Sequence, residues 1–263
     1  MINFGFASKS IGVCSMGLRS CILKTATPEN LLEISRHNLK YLGCLVGYCR
    51  QMGLPLFRIS SDVIPFASHP EVNFDWQHLL KNELSELAAE IAGKPYEMPI
   101  RVSMHPGQYT VLNSPHAGVV ERAKEDLIFH ANFLDVLGTP LSNKIVLHVG
   151  GAYGEKRAAL DRFVGAFQTL PENVKNRIIL ENDERCFAID DVLELCATLR
   201  IPAIFDVFHH SILHPKTGEM QDWLKKAGKT WGAGDGRQKI HYSQQLVPGK
   251  TACTRRILHS GHF

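Results

Sequence analysis

The strongest constraint on the fold is a regular alternation of short apolar runs with longer amphipathic segments. The runs are rich in valine, isoleucine and phenylalanine and are continuously apolar, as expected for strands that are covered on both faces. Strands are predicted over residues 2–7, 56–60, 100–105, 144–149, 177–181, 203–207 and 238–242. Helices are predicted over residues 28–49, 75–92, 115–137, 161–170, 189–199 and 217–226.

Strands that alternate with helices, without a long polar linker, predict a parallel sheet with helices on its faces. An open sheet is the alternative, but no G-x-G-x-x-G motif follows the first strand, and polar residues end several different strands. We therefore predict a TIM-type (β/α)8 barrel in a single domain over residues 1–263. The chain ends at Phe263 without a recognisable eighth strand, so we expect the natural protein to continue.

Composition excludes several classes of protein. The chain is 44% hydrophobic and 21% charged, as in ordinary globular proteins. It has no apolar run of roughly 18 residues and no signal-peptide pattern at its start, so we expect a cytoplasmic protein without a membrane partner. The seven cysteines are odd in number and form no C-x-x-C pair. This pattern predicts reduced thiols and makes histidines and carboxylates the expected ligands of any metal.

Histidines and acids stand where the predicted strands end. One strand after another closes with His105, His148, Glu181, Asp206 followed by His209, and Lys239 with His241. A lone histidine at a strand end is usually a hydrogen-bonded core residue. In a barrel, however, the carboxyl ends of all strands surround one pocket, and several unpaired polar groups buried there would be costly. The pattern therefore predicts a site with several metal ions, for which Zn²⁺, Mn²⁺ and Fe²⁺ are suitable.

Several segments together resemble one known family. They are Arg58-Ile59-Ser60-Ser61-Asp62, Pro65-Phe66-Ala67-Ser68-His69, His105-Pro106-Gly107-Gln108-Tyr109, Leu180-Glu181-Asn182-Asp183, Phe205-Asp206-Val207-Phe208-His209-His210 and Gln238-Lys239-Ile240-His241-Tyr242-Ser243. In this order they are similar to the UV-damage endonucleases. The resemblance implies a (β/α)8 barrel that initiates excision repair of double-stranded DNA. Such an enzyme nicks immediately 5′ to cyclobutane pyrimidine dimers and 6-4 photoproducts.

The resemblance also implies roles for individual residues. The metal ligands would be His105, His148, Glu181, Asp206, His209, His241 and His259, with His262 as the alternative to His259. They would hold three divalent ions, commonly Mn²⁺, with Zn²⁺ or Mg²⁺ as alternatives. Glu181, Lys239 and His69 would be catalytic, with Lys239 carboxylated by CO₂, and Gln108 and Tyr109 would probe the lesion. Two departures stand out, since the family's last glutamate ligand has no counterpart and Phe6 occupies a position where a tyrosine is expected.

Charge distribution supports a nucleic-acid partner. Between Lys225 and Arg256 there are eight cations and one acid, Asp235, a composition that suits a polyanion but also a solvated basic face. We expect a monomer that binds damaged DNA, nucleoid-associated if the source is a bacterium or archaeon. Three other interpretations stay open: an abasic-site endonuclease of the endonuclease IV type, a sugar isomerase or epimerase, and a protein that binds damaged DNA without cutting it.

Overall fold

Seven strands form one parallel sheet in which each strand hydrogen-bonds to the next along the chain. The computed structural model describes residues 3–7, 14–93 and 97–243. The strands are β1 (Gly5–Ala7), β2 (Leu56–Ile59), β3 (Arg101–Met104), β4 (Ile145–His148), β5 (Ile178–Glu181), β6 (Ala203–Asp206) and β7 (Ile240–His241). All seven predicted strands are confirmed, each somewhat shorter than predicted.

The sheet curls toward closure. Arg58 of β2 lies with its Nη2 2.9 Å from Nε2 of His241 on β7, although four strands separate β2 from β7 in the sheet order. In a flat sheet these strands would lie about 24 Å apart, at about 4.8 Å per step. The contact therefore requires the curvature of a barrel wall, and the predicted TIM-type fold is confirmed for the seven strands described. Residues 244–263, where the eighth strand was expected to be missing, lie outside the described part.

Helices follow the strands along the chain, and the long ones cover the outer face of the sheet. They are α1 (Pro28–Gln51), α2 (Trp76–Leu79), α3 (Lys81–Ala92), α4 (Ala117–Val136), α5 (Lys156–Gln168), α6 (Glu172–Lys175), α7 (Ile189–Leu199), α8 (Val207–Ile212) and α9 (Met220–Gly228). The predicted helix over 75–92 is broken at Leu80, and the short helices α6 and α8 were not predicted. Thr27 caps α1 by accepting a hydrogen bond from the Asn30 amide, and Pro28 suits the first turn because its missing N–H would have no partner there.

Alternate residues of the strands fill the inside of the barrel wall. Val146, Ile179 and Ile204 come from β4, β5 and β6 and form a small apolar cluster of their own, against which Trp231 packs. This cluster is separate from the large core between sheet and helices. Because side chains alternate along a strand, the residues two positions further on share the same inner face. These residues are His148, Glu181 and Asp206, so the strand period itself points them into the barrel mouth.

Two expectations about cysteines and membranes have different outcomes. Cys14, after β1, forms a disulfide with Cys44 of α1, so the prediction that all thiols are reduced is wrong for this pair. The two positions are 30 residues apart, and only the docking of α1 beside the first loop brings them together. Among the described residues, Cys21, Cys49, Cys186 and Cys196 are free thiols. In the described ranges no helix has the length and apolarity needed to cross a membrane.

One buried arginine joins α4 to the start of β5. The Arg177 side chain is 2% exposed, and its guanidinium contacts the Asp135 carboxylate at 2.6 Å. The same group donates to the carbonyl oxygens of Thr139, Pro140 and Asn143 at 2.8, 3.1 and 2.9 Å. These carbonyls belong to the connection between α4 and β4, so Arg177 supplies donors to a loop that cannot form secondary-structure hydrogen bonds.

We predict that Arg177→Ala lowers the free energy of unfolding by about 3 kcal/mol, because it leaves the buried carbonyl groups of Thr139 and Asn143 without their donor and the Asp135 carboxylate without its partner. Urea unfolding followed by far-UV circular dichroism measures the change. The matched control is Arg157→Ala, which removes an ion pair to Glu194 from a side chain that is 68% exposed. That variant should keep the wild-type midpoint, and equal effects of the two substitutions would contradict the prediction.

Candidate metal centre

The centre is built around the carboxylate of Glu181, the last residue of β5. Glu181 is 1% exposed. Its Oε2 lies 3.1 Å from Nε2 of His105 and 3.6 Å from Nε2 of His148, and its Oε1 contacts Nδ1 of His241. The parallel register pairs His148 with Glu181 on β4 and β5, whereas His105 and His241 arrive from β3 and β7. Three imidazoles from three strands therefore converge on one buried carboxylate.

Asp206 and His209 form the second half of the centre through a strand–helix junction. Asp206 ends β6 and is also the N-cap of α8, where its Oδ1 accepts from the His209 amide at 2.8 Å. This cap places the His209 side chain in the first turn of α8. Asn182 fixes the junction from β5, since its side chain accepts from the Asp206 amide at 2.8 Å and donates to the Asp206 carbonyl at 3.1 Å.

Hydrogen bonds to the backbone orient two of the rings. Nδ1 of His105 donates to the Pro106 carbonyl at 3.1 Å, and Nδ1 of His209 donates to the Asn182 carbonyl at 2.8 Å. In a neutral ring whose proton is on Nδ1, the Nε2 atom carries a free lone pair. The Nε2 of His105 then faces the carboxylate oxygen of Glu181, and two acceptors at this distance need a cation between them. The contact thus fits a shared proton or metal ion.

The donor atoms fall into two groups that share Glu181. The first contains His105, His148 and Glu181, and the second contains Glu181, Asp206 and His209; within each group the ligand atoms lie within 4.8 Å of one another. In addition, Nδ1 of His148 is buried without a hydrogen-bond partner. Imidazoles and carboxylates together are the ligands that Mn²⁺ and Zn²⁺ accept. The residues present therefore fit divalent ions, and Glu181 is common to both candidate ligand groups.

Burial and neighbouring charges shift the pKa values of the two acids of the centre in opposite directions. Burial opposes ionisation of Glu181, but the surrounding His241, His105 and His148 outweigh it and hold its pKa well below the usual value. Burial and then the charge of Glu181 raise the pKa of Asp206 to about 7. The two nearby carboxylates cannot both ionise freely, so without a cation Asp206 is the one that takes up a proton as the pH falls below about 7.

Burial also keeps two of the imidazoles neutral. It lowers the pKa of His148 to about 4 and that of His241 to about 3, in both cases against the attraction of Glu181. His209 behaves differently, because burial is outweighed by Asp206 and Glu181, and its pKa is raised above 6.5. At neutral pH His148 and His241 therefore present lone pairs, as metal ligands must.

A cationic group lies beneath the acids inside the barrel. Nζ of Lys239 donates to the Ser103 hydroxyl, one layer below His105 on β3. Burial, with the charges of Arg58 and Arg101, lowers the pKa of Lys239 from 10.5 to about 7. Arg58 was not predicted as a site residue, although its Nη2 contacts His241 and its buried Nε has no hydrogen-bond partner. The arginine interrupting the apolar run 56–60 was the signal that could have revealed it.

Three loop residues predicted by resemblance lie in the described part, on the loops that follow β2 and β3. Gln108 and Tyr109 follow β3 and are exposed, with Tyr109 81% exposed. His69, on the loop after β2, packs edge-on against Phe66 at 5.7 Å, and its Nδ1 accepts from the Glu71 amide at 3.3 Å. His69 belongs to neither candidate ligand group, and its catalytic role stays a prediction. His259 and His262 lie outside the described residues.

The basic segment is not a uniform surface beside the centre. Asp235 contacts Nζ of Lys144 and the guanidinium of Arg101, at the amino ends of β4 and β3. Arg237 also lies there, since its carbonyl accepts from Arg101 at 2.7 Å. The metal ligands stand at the opposite, carboxyl ends. Within the described part of the segment, Lys239 lies inside the barrel below the candidate ligands. The binding of a polyanion by this segment stays a prediction.

Comparison with known proteins agrees with this geometry. The family model described as UV-endonuclease UvdE matches residues 4–260, nearly the whole chain. The chain belongs to this family. Two relatives called UV DNA damage endonuclease, from Clostridium perfringens and Bacillus velezensis, are 37% identical over 247 residues and 34% identical over 216 residues. These alignments cover 94% and 82% of this chain but 59% and 66% of the relatives, so the chain spans about three fifths to two thirds of their length.

Solved structures show how widely the fold is shared. The crystal structure of SacUVDE matches with a TM-score of 0.88 at 34% identity, covering 95% of this chain and 83% of that one. Endonuclease IV from Thermus thermophilus matches at 0.54 and 12% identity over 91% of this chain and 76% of that one. D-psicose 3-epimerase from Clostridium cellulolyticum matches at 0.56 and 16% identity over 81% and 71%. The latter two similarities show the barrel fold alone.

We predict that the affinity for Mn²⁺ falls about tenfold or more between pH 8 and pH 6. Asp206, with its pKa of about 7, is mostly charged at pH 8 and protonated at pH 6, and His209 gains a proton in the same direction. His148 and His241 stay neutral over this window because their pKa values lie far below it. Isothermal titration calorimetry measures the affinity and the protons released.

The matched variant is Asp206→Asn, which cannot take up this proton. It should bind Mn²⁺ more weakly at pH 8 and with a flatter pH profile than the wild type. Equal wild-type affinities at pH 6 and pH 8 would contradict the assignment of Asp206 as a ligand.

Proposed function

We propose that this protein is a metal-dependent endodeoxyribonuclease that nicks DNA immediately 5′ to UV photoproducts and so initiates excision repair. The observation that carries the proposal is the shared carboxylate of Glu181, which joins two groups of candidate ligands at one barrel mouth. Membership of the UV-endonuclease family supplies the substrate class. The proposed ligands are His105, His148, Glu181, Asp206, His209, His241 and, beyond the described residues, His259.

The chain's own groups have distinct parts in this proposal. Divalent ions, proposed to be three Mn²⁺ with Zn²⁺ or Mg²⁺ as alternatives, would neutralise the phosphodiester and lower the pKa of a water molecule. Glu181 is common to the two ligand groups, and the low pKa that the surrounding histidines give it keeps it charged at neutral pH. The Asn182 hydrogen bonds fix the angle of Asp206 and His209, because outer contacts orient metal ligands. His69, on the loop after β2, is proposed to have a catalytic role.

Lys239 is proposed to be carboxylated. A pKa of about 7 leaves much of its amine neutral at neutral pH, so the nitrogen can attack the carbon of CO₂, form a C–N bond and release one proton. The product is an anion between the guanidinium groups of Arg58 and Arg101, which repel the ammonium form. Carboxylation would therefore turn an unfavourable cation into an additional anionic group of the centre.

Recognition of the lesion is proposed to rest on deformability. Dimerised pyrimidines stack and pair poorly, so extruding them from a duplex costs less than extruding intact bases. Gln108 and Tyr109 are exposed on the β3 loop directly after His105, where an aromatic ring can fill the gap left in the stack. We further propose that the protein acts as a monomer in the cytoplasm or nucleoid.

The first test is incision of an end-labelled duplex that carries one thymine dimer. With Mn²⁺ we expect a single nick immediately 5′ to the dimer, leaving a 3′-hydroxyl and a 5′-phosphate, and we expect chelator to abolish it. An undamaged duplex of the same sequence is the control. A nick at another position, or one that survives chelation, refutes the proposal.

A second duplex separates the nearest alternative. Endonuclease IV shares the fold, so a duplex with one abasic site is incubated in parallel with the dimer duplex. Faster incision at the abasic site would favour that activity. Binding to the dimer duplex without any nick in excess Mn²⁺ would instead identify a non-cutting damage-binding protein.

Carboxylation is tested by replacing Lys239 with arginine, which keeps a cation but cannot form a carbamate. In ¹³C-labelled bicarbonate the wild type should show a carbamate carbon signal that Lys239→Arg lacks, and the variant should lose incision activity. Lys229→Arg makes the same change at an exposed position and is the matched control. If the spectra of wild type and Lys239→Arg are identical, the lysine is not carboxylated.

A further inference from the structure

Asp126 of α4 holds two loops of the barrel mouth at once. Its Oδ1 accepts a hydrogen bond from the Ser68 hydroxyl at 3.0 Å, and its Oδ2 accepts one from the Thr110 hydroxyl at 2.6 Å. Ser68 precedes His69 on the loop after β2, and Thr110 follows Tyr109 on the loop after β3. Both carboxylate oxygens are thus used, and they tie the His69 loop to the Tyr109 loop.

The helix α4 is also linked to the metal centre by a second chain of hydrogen bonds, which runs through His130. Nδ1 of His130, one turn after Asp126, donates to the Asp126 carbonyl at 2.6 Å, and its Nε2 lies 3.0 Å from the Ser61 hydroxyl. That hydroxyl donates to the carbonyl oxygen of His105 at 2.6 Å. The His130 ring is 1% exposed. One buried polar network therefore joins both loops to the backbone of a candidate metal ligand.

The exposed probe loop depends on hydrogen bonds for its position. Tyr109 is 81% exposed, so packing cannot fix it. Thr110, by contrast, is 6% exposed, and its amide also donates to the Gly107 carbonyl at 3.0 Å. The buried Thr110 therefore fixes the position of the backbone next to Tyr109, while the Tyr109 ring stays accessible. The strongest contact of this anchor is the charge-assisted hydrogen bond to Asp126.

We propose that Asp126 and Thr110 are positioning residues that set the Gln108–Tyr109 loop at a fixed place relative to His105, and so couple engagement of a lesion to incision. The inference rests on the proposed function, because it concerns how that site reaches its substrate. If the Gln108–Tyr109 loop were loose, the lesion that it engages would lie at a variable position, and so would the phosphodiester to be cut. A misplacement of about 1 Å is enough to slow an enzyme strongly.

The test compares two substitutions of Thr110. Thr110→Val replaces the hydroxyl by a methyl group and keeps the shape, whereas Thr110→Ser keeps the hydroxyl and is the matched control. We expect the valine variant to incise a thymine-dimer duplex about tenfold more slowly in single-turnover kinetics, the effect of one hydrogen bond to a charged group. Its binding to undamaged duplex and its urea midpoint should stay at the wild-type value, and the serine variant should behave as wild type.

Asp126→Asn provides an independent variant of the same contact. An asparagine replaces one carboxylate oxygen by an amide nitrogen and removes the charge, so Ser68 and Thr110 can no longer both donate a charge-assisted hydrogen bond to it, and the incision rate should again fall about tenfold. The double variant with Thr110→Val should be no slower than either single variant, because both remove the same interaction. Glu125→Gln, at the neighbouring exposed position of α4, removes a charge without touching the network and should leave incision unchanged.

Amide hydrogen exchange gives a readout that does not need activity. The Thr110 and Val111 amides, which donate within the loop, should exchange faster in Thr110→Val, while the β5 amides stay protected. Unchanged loop exchange refutes the anchor whatever the incision rate. If the loop amides exchange faster but the incision rate stays at the wild-type value, the anchor does not act as a positioning element. The same conclusion follows if Thr110→Val loses stability and binds damaged and undamaged DNA equally weakly. A wild-type protein that cuts no damaged DNA refutes the proposed function itself.

Discussion

The interaction on which the site depends is the burial of the Glu181 charge among imidazoles. A carboxylate taken out of water costs several kcal/mol unless its partners compensate. Here the partners arrive from β3, β4 and β7, and the parallel register fixes two of the pairings: His148 lies opposite Glu181, and Asp206 lies opposite His241. The geometry of the centre is therefore a consequence of strand pairing. A shift of one residue would turn each of these side chains to the outer face.

Much of this arrangement could be predicted from the sequence because strands are periodic. Continuous apolar runs located all seven strands, and polar residues at the ends of several strands of one barrel indicate a site, although a single one does not. His105, His148, Glu181, Asp206, His209 and His241 were predicted to converge, and the structure brings them together. Their metals, and the roles of His69 and Lys239, remain proposals because side-chain positions alone do not identify a bound ion.

Other features depend on tertiary geometry that no local pattern contains. Arg58 meets His241 across 183 residues because the sheet curls. The Asp126–His130 pair has the spacing of any helix surface, and only the packing of α4 under the two loops turns it inward. The density of charge along the chain likewise does not tell at which end of the strands each charge lies. The residues around Arg237 connect a helix to a strand, and such connections lie at the amino ends of parallel strands, away from the ligands.

The sequence spread of the ligands has a consequence for biosynthesis. His105 and His241 both contact Glu181 although they are 136 positions apart, so the full set of contacts around this carboxylate cannot form in a partly synthesised chain that lacks β7. Contacts of such long range also form late and slowly in folding. A chain still emerging from the ribosome would then carry some of these imidazoles without their partners, and the contacts around Glu181 would be complete only after β7 had joined the sheet.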